Sequence, residues 1–295
     1  MSATTAASIK AWVLASRPKT LFAAIAPVLL GSALAFSQSK GNLPAALAAL
    51  FGAICIQIAT NLANDYWDAK KGADTSERLG PVRVTASGLL KPRTVFLGMV
   101  FIFLLATAAG VFLTLRAGWP VVAIGLASIL FGILYTAGPF SLAYLGLGEV
   151  FTFLFFGLVA TAGTYFVQAL SFSPDALWLG VMPGSYSVVL IALNNLRDRE
   201  TDQRAKKKTL AVRFGEKFAR VEILFFLFVP ALVPLFLLPF HGGGWLCAIA
   251  AFLAALRVGA PLARLRDPRM INDLLPHAGI ASLFLAILVS VFLMM

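Results

Sequence analysis

The chain has 295 residues, 60% of them hydrophobic and 13% charged, with a mean hydropathy of +0.88 and a formal net charge of +11 at pH 7. Soluble domains carry roughly 25% charged residues, so this composition excludes an ordinary water-soluble enzyme. Apolar runs of about 20 residues, the length a helix needs to cross a bilayer, recur from end to end and lack the alternation of a transmembrane barrel. The class is therefore an all-α, polytopic membrane helical bundle.

In chain order, Met1 to Lys19 is polar and then basic. It has no short apolar core followed by a small-residue cleavage site, so the first span is expected to direct insertion itself. Spans are predicted over 20–38, 43–64, 94–115, 119–138, 148–170, 175–196, 219–239, 244–262 and 276–295. Gly242-Gly-Gly244 softens the start of the eighth, and Arg257 interrupts its end. Nine spans place 22 of the 24 Lys and Arg residues on one side and leave only Lys40 and Arg116 on the other. Basic residues stay in the cytoplasm, so the N-terminus is expected to be cytoplasmic. That rule also accounts for the basic charge without a nucleic-acid partner. Cys55 and Cys247 lie in apolar runs and read as small packing residues, and His241 and His277 are isolated at span ends.

Seven of the 13 acidic residues fall in two stretches: Asp65, Asp68, Asp74 and Glu77 after the second span, then Asp198, Glu200 and Asp202 after the sixth. Asn61, Asp65 and Asp68 share a helix face by spacing, as do Asn194, Asp198 and Asp202. The stretches also mark a weak repeat within a single domain over residues 1–295. Four helices over about 20–138 correspond to four over about 148–262, and a ninth, 276–295, is added. Such halves would set the two acidic stretches opposite each other across a central cavity.

Carboxylates at membrane depth cost roughly 2.5–3.5 kcal/mol each and usually face a functional cavity. Asp and Asn oxygens suit hard cations, and Mg²⁺ is typically held by one or two carboxylates together with phosphate oxygens. Flanking Lys and Arg would neutralise the same phosphates. A metal-held diphosphate beside an apolar bundle suggests a substrate with a charged head and a long isoprenoid tail. Ionisation of its allylic C–O bond would need water excluded and an electron-rich ring nearby. Tyr66, Trp67, Tyr135, Tyr144, Tyr165 and Tyr186 are available, although Trp67 at a span end also reads as an interfacial anchor. A secondary transporter is the competing class. It would carry acids near mid-span, whereas these acids lie at helix ends.

Several motifs resemble those of the UbiA superfamily of intramembrane aromatic prenyltransferases, and within it the menaquinone branch. They are Ser16-Arg-Pro-Lys-Thr20, Asn61-x-x-Asn-Asp-Tyr-x-Asp68, Gly72-x-Asp74, Gly80-Pro-x-Arg83 and Ser87-Gly88 in the first half. The second half adds Tyr135-Thr-x-Gly-Pro139, Leu142-x-Tyr-x-Gly-Leu-Gly-Glu149, Tyr165-x-x-Gln168, Asn194-Asn-x-Arg-Asp-x-x-x-Asp202 and Lys208-Thr-Leu-Ala-Val212. The commoner first motif of the superfamily ends in an Asp where this chain has Gly72; Asp74 stands instead, as in the menaquinone branch.

The resemblance implies transfer of a polyprenyl group from polyprenyl diphosphate to 1,4-dihydroxy-2-naphthoate, with loss of CO₂. Other aromatic acceptors, of the phylloquinone, plastoquinone or tocopherol type, remain the alternative within the fold. The resemblance further implies two Mg²⁺ ions, one on Asn61, Asp65 and Asp68 with help from Asp74, the other on Asn194, Asp198 and Asp202. Asp65, Asp68, Asp198 and Asp202 would be catalytic, and Arg83, Arg197 and Lys208 would contact the diphosphate. Lys19, Tyr66, Tyr135, Glu149, Tyr165 and Gln168 are the candidates for holding the acceptor or stabilising the carbocation. The expected setting is the bacterial cytoplasmic membrane with the site on the cytoplasmic side, and no obligatory protein partner.

Overall fold

The computed structural model describes residues 3–72, 79–138, 141–238 and 243–295. Among them there are helices and turns and no strand. The first half comprises α1 (Ala3–Ser16), α2 (Phe22–Ser37), α3 (Leu43–Lys70), α4 (Pro92–Ala117) and α5 (Trp119–Leu134), followed by the single turn α6 (Leu142–Leu145). The rest of the chain comprises α7 (Gly148–Phe153), α8 (Ala160–Ala169), α9 (Pro174–Arg197), α10 (Arg199–Arg204), α11 (Leu210–Phe228), α12 (Val233–Leu237), α13 (Gly243–Arg264) and α14 (Ile271–Met294). A π-helical turn, Leu154–Val159, joins α7 to α8 without a break.

Each predicted span coincides with a helix or a continuous helical run. Among the described residues, seven of these suffice by length and composition to cross a membrane. The bent pair built from α1 and α2, angled by 51°, makes an eighth, and α5 is shorter at 16 residues. Proline sets several starts. Pro44, Pro92, Pro120 and Pro174 lie in first turns, where the missing N–H has no helical partner to lose. Asn42 caps α3, its side-chain oxygen accepting from Ala45 N at 3.0 Å.

Three boundaries differ from expectation by five residues or more: those of α3 and α11, and that of α14, which begins at Ile271 rather than 276. α3 continues to Lys70 rather than ending near 64, because its last turns are stabilised by buried polar contacts that hydropathy does not register. α11 begins at Leu210 rather than 219, with its turn broken at Gly215, φ +85°.

α9 is the central helix and the most deeply buried of the spans. Leu179, Met182, Tyr186, Val189 and Leu193 pack in a core shared with α2, α11, α13 and α14. A second core joins Ala15 of α1 to α3 and α4 through Ala59, Leu62, Val95 and Met99. Where the π-helical turn meets α9 there is no room for side chains. A Cβ on Gly157 would lie 2.6 Å from Gly180 O, and one on Gly180 would lie 2.8 Å from Gly157 O. Small residues thus let the two backbones touch, as is common between membrane helices.

Candidate active site

The last turns of α3 present Asn61, Asp65 and Asp68 on one buried face. Both oxygens of Asp65 accept backbone N–H groups, from Thr85 at 2.8 Å and Val84 at 3.0 Å. This pair ties the loop after α3 back onto the helix and delivers Arg83, whose Nη2 donates to Asp68 Oδ2 at 3.0 Å. The other oxygen of Asp68, Oδ1, is buried and has no hydrogen-bond partner among the described residues. Asn61 Nδ2 donates to Ser16 O and Thr20 Oγ1, both at 3.0 Å, and so anchors the turn between α1 and α2. Asp74 lies outside the described residues.

The second cluster forms where α9 gives way to α10. Arg197, buried, donates to both oxygens of Asp198 at 2.8 and 2.6 Å. Its Nη1 donates to Asn272 Oδ1 of α14 at 2.8 Å, and Asn272 Nδ2 donates to Leu79 O at 2.9 Å. Asn194 donates back to Leu190 O at 2.8 Å along its own helix. Asp202 is buried and pairs with Lys207 at 3.2 Å. Burial pushes the Asp202 carboxyl above its ordinary value; Lys207 opposes the shift, and the carboxylates of Asp198 and Asp68 add to it. Asp68 and Asp202 therefore lie within electrostatic reach of each other across the two clusters.

The segment between α5 and α6 is clamped from both halves. Lys71, the C-cap of α3, donates to Thr136 O at 2.6 Å, Gly138 O at 2.9 Å and Ser141 Oγ at 3.1 Å. Its ammonium also lies 4.3 Å from the Tyr144 ring centre, and Lys207 approaches the same ring at 5.2 Å. Desolvation lowers the Lys71 ammonium from its ordinary value; Asp68 opposes the shift and Lys207 adds to it. Tyr144 O accepts from Lys208 N at 3.0 Å, and Leu145 O accepts from Arg213 at 2.7 Å.

The other predicted residues divide. Tyr135 faces the clusters: it lies within electrostatic reach of Glu149, Asp68 and Asp202, and its hydroxyl sits 3.0 Å from where a Cβ on Gly148 would be. Glu149 is buried; Oε1 accepts from Asn195 at 2.7 Å, and Oε2 has no hydrogen-bond partner among the described residues. Tyr66 packs on Trp67 and on Phe96 of α4. Lys19 and Lys208 are exposed.

Tyr165 and Gln168 require a correction, because the structure does not bring them to the clusters. The Tyr165 hydroxyl donates to Gln38 at 2.6 Å, while Gln168 donates to Ser32 at 3.0 Å and accepts from Asn42 N at 3.3 Å. Asn42 starts α3 and Asp65 lies 23 residues further on, about 35 Å along the axis at the usual helical rise. These residues lock α8 to α2 at the opposite end of the bundle. Sequence reasoning missed Lys71, Lys207 and Asn272. The two lysines read as ordinary cytoplasmic charge, and Asn272 is a lone polar residue at the start of an apolar helix.

Beside the clusters runs an apolar cavity of about 340 Å³, lined by α2, α3, α4, α5 and the run from α7 to α8. Tyr135 lines its upper end and Val121 its lower. Val111 of α4 and Val122 and Leu126 of α5 line it while being 55%, 43% and 65% exposed, so α4 and α5 form its outward-facing wall.

The donor set fits a hard cation. Asp68 offers a buried, unpartnered carboxylate oxygen, Asp202 faces it, and oxygen ligands are what Mg²⁺ selects. Among the described residues no three His, Cys, Asp or Glu side chains converge as a cage.

The UbiA prenyltransferase family model matches residues 24–293. The chain is 38% identical over 285 residues to 1,4-dihydroxy-2-naphthoate octaprenyltransferase of Mycobacterium tuberculosis, covering 96% of this chain and 97% of that one. It is 36% identical over 289 residues to the enzyme of the same name from Mycobacterium leprae, covering 96% of each. Its fold is similar to that of a UbiA homologue from Archaeoglobus fulgidus bound to GPP and Mg²⁺. The TM-score is 0.71 over 96% of this chain and 99% of that one, at 14% identity, a likeness of fold alone.

Proposed function

The chain belongs to the UbiA prenyltransferase family, and from that premise we propose that it transfers a polyprenyl group from polyprenyl diphosphate to 1,4-dihydroxy-2-naphthoate. Diphosphate and CO₂ leave, and the product is demethylmenaquinol. The observation that carries this reading is the pairing of two facing acid clusters, each with its own arginine, with an apolar cavity that begins beside them at Tyr135. The names of the two mycobacterial relatives support the naphthoate as acceptor.

In this reading Asp68 and Asp202 hold divalent metal, with Asp198 completing the second half, while Asp65, expected among the metal ligands, has both oxygens engaged by the N–H groups of Val84 and Thr85 and fixes the Arg83 loop. Asp74, Asn61 and Asn194 are retained as outer members of a site for two ions. Bound Mg²⁺ supplies Lewis acidity that draws charge onto the leaving diphosphate. Arg83 and Arg197 pair with carboxylates in the structure and sit where an arriving diphosphate would compete for their guanidinium groups. Lys71 and Lys207 add two further cations to the same face, and Lys208, one residue on, remains within reach from the surface. Tyr135 presents its ring where the cavity meets the clusters, able to stabilise a developing allylic cation. The apolar cavity walls exclude water from that carbon.

The distribution of Lys and Arg supports nine crossings with α5 as a short one, a cytoplasmic N-terminus, and a site facing the cytoplasm of a bacterial cell. The single domain reads as two four-helix halves with α14 added.

The test uses full-length protein in lipid nanodiscs with 1,4-dihydroxy-2-naphthoate, a polyprenyl diphosphate and Mg²⁺. Prenylated naphthoquinol and CO₂ should form in equal amounts, and EDTA should abolish both. Prenylation of a different phenolic acid alone would overturn the acceptor, and no prenylation of any acceptor would overturn the reaction.

A further inference from the structure

The two acid clusters are joined through a residue of the last helix. Asn272, the second residue of α14, accepts from Arg197 Nη1 at 2.8 Å and donates to Leu79 O at 2.9 Å, across 193 positions of sequence. Arg197 holds both oxygens of Asp198, and Leu79 lies four residues before Arg83, whose guanidinium holds Asp68. A continuous path therefore runs from Asp68 through Arg83, the backbone of 79–83, Asn272 and Arg197 to Asp198. It is separate from the clamp at Tyr144, which links the same halves through Lys71 and Lys207.

The bridge needs a side chain that accepts from one partner and donates to the other at the same reach, which an amide does and a carboxylate or an alkyl group does not. Arg197 is 3% exposed, and two of its three nitrogens face Asp198 while the third faces Asn272. The amide therefore sets the plane of the guanidinium, and with it the direction of the Asp198 carboxylate.

We propose that Asn272 is a positioning residue for the metal and diphosphate site, fixing the separation of the two half-sites by gripping Arg197 and the Leu79 carbonyl together. It touches no substrate. The proposal rests on the prenyl-transfer reading and gives α14, which lies outside the paired halves, a part in that reaction.

The test compares full-length wild type with Asn272→Leu, which lacks both bonds, and Asn272→Asp, which keeps only the acceptor, in nanodiscs. Two quantities are read: binding of Mn²⁺ to the substrate-free protein by electron paramagnetic resonance, and the Mg²⁺ concentration giving half-maximal turnover. Partners that orient metal ligands typically contribute 10–100-fold to affinity, so Asn272→Leu should raise both values about tenfold. Turnover at saturating Mg²⁺ should recover most of the wild-type rate, and Asn272→Asp should fall between the two. A residue with a merely structural role would lower the yield of folded protein and move neither value. If folded Asn272→Leu binds Mn²⁺ as the wild type does, the proposal fails; should that variant not fold, the same result in Asn272→Asp overturns it. A wild type with no Mn²⁺ binding and no Mg²⁺ dependence would overturn the prenyl-transfer reading instead.

Discussion

Asp65 and Asp68 lie one turn apart on one face of α3, and their surroundings assign them different roles. Asp65 accepts two buried backbone N–H groups, and its removal leaves both without partners at roughly 1–3 kcal/mol each. Asp65→Ala is therefore expected to lower the unfolding temperature markedly in detergent. Asp68→Asn preserves an acceptor for Arg83 and removes a buried charge that faces Asp202, so it should leave thermal stability close to wild type. Its turnover should drop by about 100-fold or more, equivalent to about 2.7 kcal/mol of barrier. Asp202 adds a pH signature. Its carboxyl is raised by burial, and a metal ligand must be ionised, so metal affinity should weaken as pH falls through that raised value. Mn²⁺ titrations over a pH series check this, and Asp202→Asn should bind more weakly with a flatter pH dependence. The spacing of these acids was legible in the sequence because it is a local helical period. The partners of Lys71 and Asn272 were not, since they lie 65 to 193 residues away and leave no periodic trace.

Helices were legible as apolar runs, but the devices that aim them at the site were not. The π-helical turn and the break at Gly215 leave the hydropathy of their spans unchanged. The turn after α6 is the clearest case. Gly146 has φ +71°, and a Cβ there would lie 2.4 Å from Lys208 O, so only glycine lets the loop holding Lys207 settle against Tyr144. Gly146→Ala should therefore reduce turnover strongly while the long helices remain folded, to be read by comparing activity with the far-ultraviolet circular dichroism of the purified protein. Gly180→Leu acts on a different contact. It forces apart the backbones of α9 and the π-helical turn, and overpacking of that kind costs typically 1–3 kcal/mol or more. That variant should lose thermal stability first and activity only in consequence.

At the scale of the whole molecule, the charged chemistry sits at one end of the bundle, and the apolar cavity leads away from it along α5, with α4 and α5 as its outward-facing wall. The crowding of Lys and Arg into a few stretches was legible from their positions in the sequence. The cavity was not, because it arises from how α3, α4, α5 and α8 splay. From Tyr135 to Val121 the cavity follows 14 residues of α5, about 21 Å at the helical rise. The four-carbon repeat of an isoprene unit spans about 5 Å at ordinary bond lengths, so roughly four units would be enclosed and later ones would lie in lipid. A short, water-soluble tail gains at most about 0.8 kcal/mol for each CH₂ it moves from water into the cavity, whereas carbons beyond the cavity stay in lipid and contribute almost nothing. The Michaelis constant for the diphosphate substrate should therefore fall steeply up to about four units and then level off. Ala160→Phe, in the wall of the cavity, should bring that plateau to a shorter tail and leave the constant for the naphthoate unchanged. A constant that kept falling well beyond four units would mean that the tail follows another path through the bundle.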